Sequence, residues 1–158
     1  MNDTNDCEIK FIKTHPDAKL PNQAHEGDNG YDLFAVEDTY IPPMVTKDPI
    51  ISHTFNPVCV GSGLKVGFIT PGYGFVIKPK SGLGFKHGLQ PHLGEIDNGY
   101  RGDCGVKMYN FTDKGYTFKK GDKVAQIKIE RNYSTMLEWT DTVIESDRGE
   151  GRLGSTGK

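Results

Sequence analysis

Four segments carry residue types that could do chemistry. In Gly94-Glu95-Ile96-Asp97-Asn98-Gly99-Tyr100-Arg101-Gly102-Asp103, Asn98-Gly99 is a tight-turn signal, because both residues tolerate positive φ. A hairpin there would set Asp97 and Tyr100 on neighbouring arms. Asp97 follows the apolar Ile96, so partial desolvation would raise its basicity toward a general-base role. An Asp beside Asn-Gly also commonly does no more than accept the hydrogen bonds of its turn, and the residues alone leave both roles open. In Pro79-Lys80-Ser81-Gly82-Leu83-Gly84-Phe85-Lys86, a lysine and a serine enter a glycine-rich turn whose exposed N–H groups could cradle a phosphate, or which could simply end a strand. In Gly30-Tyr31-Asp32-Leu33, Asp32 sits in an apolar run, and a buried carboxylate needs a cation or several donors as a fixed partner. The last segment, 148–158, offers Arg148, Arg152 and Lys158 with Ser155, Thr156 and four glycines, a set suited to an anion. The same composition would also describe a solvated terminus.

Two nucleotide motifs fail on context. Gly149-Glu150-Gly151-Arg152-Leu153-Gly154 matches G-x-G-x-x-G, but only four residues follow it, too few for the helix that the motif must open. Gly157-Lys158 has neither the Ser/Thr nor the helix that would follow a P-loop lysine. The five histidines, His15, His25, His53, His87 and His92, show no metal-ligand spacing and read as surface or packing residues.

The elements that must position these groups are strands. The 20 Gly and 9 Pro among 158 residues are too many for a helical protein and punctuate short apolar stretches. In Val124–Glu130, Ile127 and Ile129 share one face while Gln126, Lys128 and Glu130 share the other. Segments 74–78, 106–111 and 116–118 read similarly, and turn signals at about 8–12-residue spacing point to an all-β sandwich or barrel. Gly82–His87 is the best short helical turn, weakened by its own glycines. Segment 44–57 carries Pro49 and Pro57 with little alternation and reads as a loop or edge excursion. Segment 148–158 has one apolar side chain, so it is expected to be a mobile arm unless a ligand orders it.

The length fits one domain that buries roughly 68–70% of its unfolded surface. Lys+Arg 19 against Asp+Glu 21, a net charge of -2, leaves no basic excess of the kind that binds nucleic acid. No run reaches the roughly 18 apolar residues of a membrane span, and the polar start is unlike a signal peptide. Cys7, Cys59 and Cys104 are odd in number and widely spaced, which fits a reducing, cytoplasmic setting.

Taken in order, Gly30–Ala35, Pro79–Gly84, Gly94–Gly102, Gly121-Asp122-Lys123-Val124-Ala125-Gln126 and Arg148–Gly157 resemble the five motifs of the trimeric dUTP diphosphatases. The resemblance implies a jelly-roll-like distorted β-barrel over 1–147, a homotrimer with shared sites, and a glycine-rich C-terminal arm, 148–158, closing over a neighbour's site. It implies Mg²⁺-dependent hydrolysis of dUTP to dUMP and pyrophosphate, which lowers dUTP and supplies dUMP for thymidylate synthesis. On matching positions, Asp97 would be the base acting on the water that attacks the α-phosphorus. Tyr100 would stack on the deoxyribose and exclude a 2′-hydroxyl. Backbone groups of Gly94, Glu95, Ile96 and Gly105 would meet the uracil edge. Lys80, Ser81, Gly82 and Gln126 would hold the phosphate chain. Arg148, Gly154, Ser155 and Thr156 would clamp the γ-phosphate, with Leu153 covering the uracil. Asp32 would support the phosphate region, and Mg²⁺ would be held by phosphates and water with no direct protein ligand.

The chain departs from the pattern in several places. Lys80 stands where the family usually has Arg, replacing a fork with a point charge. Leu153 stands where it usually has Phe, losing an aromatic stack. Gly99 and Pro91 replace an acidic and a polar residue, and segment 44–57 is longer than usual. The longer loop raises an alternative, a weakly active or dual-role protein that binds a regulatory partner through 44–57. A dCTP deaminase of the same fold is a further alternative.

Overall fold

The computed structural model describes residues 6–44 and 57–146. The expected 44–57 insertion, apart from its two end residues, and the whole 148–158 arm with Arg148, Leu153, Gly154, Ser155 and Thr156 lie outside the described residues.

Eleven described strands and one short helix follow in order: β1 (Ile9–Lys13), β2 (Tyr31–Phe34), β3 (Thr39–Ile41), β4 (Val58–Val60), β5 (Leu64–Ile69), β6 (Tyr73–Lys78), α1 (Ser81–His87), β7 (Leu89–Pro91), β8 (Glu95–Ile96), β9 (Val106–Asn110), β10 (Tyr116–Phe118) and β11 (Lys123–Arg131). They pair antiparallel in four small sheets, β1-β5, β10-β3, β2-β11-β6-β8 and β4-β9-β7. The sheets wrap one apolar core in a jelly-roll-like β-barrel.

Period-two alternation builds that core. In β9, Val106, Met108 and Asn110 are buried while Lys107 is exposed. In β11, Ile127 turns inward and Lys128 outward. Phe75, Phe118, Leu33, Ile41 and Ile69 head its largest fully buried apolar side chains. Buried Asn110 is satisfied: its Nδ2 donates to Lys114 O at 2.8 Å and its Oδ1 accepts from Thr112 Oγ1 at 2.8 Å. The helical turn expected at 82–87 forms as α1, which buries none of its residues. It ends at Gly88, whose φ of 60° is a left-handed cap that glycine adopts without strain. A Cβ there would also meet Thr112 Cγ2 at 2.5 Å. Among the described residues no helix is long and apolar enough to cross a membrane.

Candidate active site

The central sheet gathers three of the sequence segments at one end of β6. Gln126 of β11 pairs with Asp32 of β2 on one side and Lys78 of β6 on the other, and cross-strand partners present their side chains to the same face. Just past Lys78, Pro79 O accepts from Gln126 Nε2 at 2.9 Å. Lys80 then reaches back to Asp32 Oδ1. The other oxygen, Asp32 Oδ2, pairs with Lys123 Nζ at 2.7 Å.

Asp32 is therefore the buried carboxylate with the fixed cation that its sequence context demanded, and it has two. Burial alone would raise its carboxyl pKa, but the ammonium groups of Lys123 and Lys80 outweigh that and hold it below the usual carboxylate value. Two lysines around one aspartate leave a surplus positive charge at the cradle. Both remain partly open, with side-chain exposures of 26% for Lys80 and 44% for Lys123, so an anion can reach them.

Lys123 reaches Asp32 because β11 is irregular. In a regular strand Lys123 would share a face with Ala125 and Ile127, which point into the core. The register shifts between Lys123 and Ala125, so Lys123 pairs with Phe34 and Ala125 with Leu33. That extra residue turns Lys123 onto the face of Asp32 and Gln126, as a bulge does, while Val124 and Ala125 are both buried. Lys123 carried no role in the sequence reading, and only the doubled apolar pair Val124-Ala125 hinted at broken alternation. Gly30 completes the arrangement, since a Cβ there would lie 2.0 Å from Gln126 Oε1.

Ser81 and Gly82 open α1 beside this cradle, both exposed. Leu83 N and Gly84 N donate to Lys80 O at 3.1 and 3.2 Å. The Ser81 and Gly82 N–H groups, first in the helix, have no intrahelical acceptor. The lysine, the serine hydroxyl and these amides suit a phosphate chain.

Asp97 and Tyr100 lie elsewhere. β8 is the outer edge of the sheet and pairs with β6 through Phe75–Ile96 and Val76–Glu95. Gln126 pairs with Lys78, three residues or roughly 10 Å farther along β6, and two strand spacings, roughly 10 Å again, across the sheet. One chain thus keeps Asp97 apart from the cradle.

Two expectations about this segment are corrected. The tight two-residue hairpin does not form: β8 pairs with β6, residues 97–100 make a turn closed by Tyr100 N donating to Asp97 O at 3.0 Å, and the antiparallel arms that flank it, β7 and β9, pair only farther out. Among the described residues only glycines at 27, 63, 72, 88 and 121 have positive φ, so Asn98-Gly99 is not the tight-hairpin turn. Asn98 instead spends its amide on the β5–β6 connection, donating to Ile69 O, Thr70 O and Tyr73 O at 3.2, 2.8 and 3.0 Å. Nor is Asp97 desolvated by Ile96, because Asp97 is exposed while Ile96 turns toward the core. The ring of Tyr100 lies against Gly102, where a Cβ would meet its hydroxyl oxygen at 2.3 Å, and that hydroxyl donates to Asp103 O at 2.9 Å.

Next to this turn, Ile77 N donates to Gly94 O at 2.9 Å. By the alternation of an antiparallel ladder, the N–H and C=O of Glu95 then point to the open edge, available to a planar ring with donors and acceptors. On the other side, His92 N donates to Lys107 O at 2.7 Å, and the same register continues toward Gly94 and Gly105. Gly105 is closely covered, since a Cβ there would lie 2.6 Å from Cys59 Sγ.

Known proteins resemble the chain over most of its length. The family model for dUTPase matches residues 16–157. The chain is 36% identical over 152 residues to the deoxyuridine 5'-triphosphate nucleotidohydrolase of Clostridium kluyveri, covering 95% of this chain and 98% of that one. It is 37% identical over 150 residues to the enzyme of the same name from Mus musculus, covering 95% and 85%. Among solved structures, a mutant Staphylococcus bacteriophage 80alpha dUTPase with dUpNHpp superposes with a TM-score of 0.77 at 23% identity, covering 96% of this chain and 99% of that one, a likeness of fold. With its β-barrel, its ordered motifs and these relatives, the chain belongs to the dUTPase family.

Proposed function

We propose that the protein hydrolyses dUTP to dUMP and pyrophosphate, and that it does so as a homotrimer. The observation that carries the reading is the cationic cradle of Lys80 and Lys123 around buried Asp32, with Gln126 and the first-turn amides of α1 beside it. Such a cradle fits a polyphosphate, and the family membership names which one.

The separation of Asp97 from that cradle within one chain supports a site shared between copies. One copy brings the phosphate cradle and another brings the β8 edge with Asp97 and Tyr100. The backbone of Gly94, Glu95 and Ile96, with Gly105, meets the uracil, and the space against the Tyr100 ring excludes a 2′-hydroxyl. Asp97 accepts a proton from the water that attacks the α-phosphorus. The bond from that phosphorus to the bridging oxygen breaks, and pyrophosphate leaves toward Lys80, Ser81, Gly82 and Gln126. Donors aimed at the charge of the leaving group stabilise the transition state more than the ground state. The arm residues Arg148, Gly154, Ser155 and Thr156 close over the γ-phosphate, with Leu153 over the base.

Magnesium enters as part of the substrate, Mg·dUTP, where it offsets phosphate charge. Among the described residues no three His, Cys, Asp or Glu side chains gather to hold a metal, and both oxygens of Asp32 face lysines. The chain's part is to bind and orient the phosphates.

The test is pyrophosphate release from Mg·dUTP, against UTP, dTTP and dCTP, with Asp97→Asn alongside. Release from dUTP alone, abolished in the variant, is the expected result; ammonia release from dCTP would instead identify a deaminase. No release from any substrate would refute the hydrolase and leave a nucleotide-binding, regulatory role.

A further inference from the structure

Among the described residues nothing hydrogen-bonds the Asp97 carboxylate, and Asp97 is exposed. If that carboxylate is the base, its aim must come from its backbone, since no side-chain contact supplies it. The strand leading to it is a poor anchor, because β8 has two residues, Glu95 and Ile96, paired on one side only. Two ladder pairs and the adjoining Ile77 N–Gly94 O bond make a short edge strand that frays easily at the Asp97 end.

The next residue makes up the deficit. Asn98 Nδ2 sits among three carbonyl oxygens of the β5–β6 connection, Ile69 O at 3.2 Å, Thr70 O at 2.8 Å and Tyr73 O at 3.0 Å. Carbonyls only accept, so the amide nitrogen, not Oδ1, must face them. The connection is itself held: Tyr73 N donates to Thr70 O at 3.1 Å, and Thr70 N donates to Glu8 O at 2.9 Å. On the other flank, Arg101 Nη1 donates to Asn98 O at 2.7 Å and to Tyr100 O at 2.6 Å. Asn98, the residue bonded to Asp97, is thereby held on both flanks, by its side chain to a part of the barrel outside the motif and by its carbonyl to Arg101 within it.

We propose that Asn98 is a positioning residue of the hydrolysis, aiming the Asp97 carboxylate by tying its turn to the carbonyls of Ile69, Thr70 and Tyr73. The inference rests on the reading of Asp97 as the base. It assigns Asn98 a task separate from substrate binding, because its amide is occupied by the barrel and not turned to a ligand.

The experiment uses the full chain and Mg·dUTP, with wild type, Asn98→Ala, Asn98→Asp and Asp97→Asn compared by steady-state kinetics and thermal melting. Asn98→Ala deletes the amide. Asn98→Asp keeps its shape but places a carboxylate against three carbonyls. A misaim of about 1 Å can cost on the order of 100-fold in rate, so kcat should fall about 10–100-fold in both variants while KM stays within about threefold. A purely structural role would lower the melting temperature and leave kcat per folded molecule near wild type, and that result would overturn the proposal. An equal loss in KM would overturn it too, by making Asn98 part of the binding surface. Failure of both variants to fold would assign Asn98 to stability and would likewise overturn it. Absence of turnover in wild type would refute the hydrolase reading itself, whereas an active wild type with unimpaired Asn98 variants would refute this inference alone.

Discussion

Replacing Asp32 by Asn removes one negative charge and almost no volume, so it isolates the electrostatics of the cradle. The amide oxygen can still accept from one lysine, but the amide nitrogen must then face the other ammonium, donor against donor. Removing one partner of a fully buried ion pair costs about 3–5 kcal/mol. Here the carboxylate is buried but Lys80 and Lys123 are 26% and 44% exposed. Solvent therefore screens part of the loss, which brings the expected cost to about 2–3 kcal/mol. At about 2–4 °C per kcal/mol for a chain of this size, the melting temperature should fall by roughly 4–12 °C. The assay is thermal and urea unfolding at one fixed protein concentration, because an oligomer's apparent stability depends on it. A cycle of Asp32→Asn, Lys123→Met and the double variant should return a coupling of about 1–2 kcal/mol. Turnover of dUTP should fall about 10-fold or more, since both lysines lose the anchor that orients them. Unchanged stability together with zero coupling to Lys123 would refute the account of Asp32 as the hub of the cradle.

Further outcomes follow from the same geometry. In Gly30→Ala the new Cβ would lie 2.0 Å from Gln126 Oε1, pushing that side chain off Pro79 O; about 1 kcal/mol of stability and about 10-fold in turnover should be lost, as unfolding and kinetics would show. The folded pKa of Asp32 lies below its usual value, against an unfolded value of about 3.9. Its stabilisation is therefore complete above about pH 4 and fades as pH falls through the lower folded value. Acid unfolding below pH 4 should accordingly be steeper in wild type than in Asp32→Asn, and equal slopes would contradict the assignment. Burial, with a smaller contribution from the charge of Asp103, pushes the Cys104 thiol up to about 11. Thiol reagents at pH 8 should leave Cys104 unlabelled until the protein unfolds, and fast native labelling of Cys104 would show that the barrel opens there.

The all-β architecture was legible in the sequence because strand alternation is a local signal. Tyr116–Phe118 became β10 with the expected bounds, and 123–131 became β11 around the expected 124–130. The need of Asp32 for a cation was legible too, because a carboxylate in an apolar run is costly wherever the chain folds. Which cations would answer was a matter of tertiary structure. Lys123 lies 91 positions from Asp32, and alternation places it on the wrong face; only the register shift against β2 turns it outward. The Asn98-Gly99 pair misled for a related reason. Turn preference describes a backbone left to itself, whereas here the carbonyls of Ile69, Thr70 and Tyr73, far away in sequence, claimed the Asn98 amide and set the turn. The order of the motifs and the kinds of side chain they carry were thus determined by the sequence alone. The distance between Asp97 and the lysine cradle around Asp32 was decided only when β6 laid them at its two ends, because strand pairing converts sequence spacing into direction as well as length.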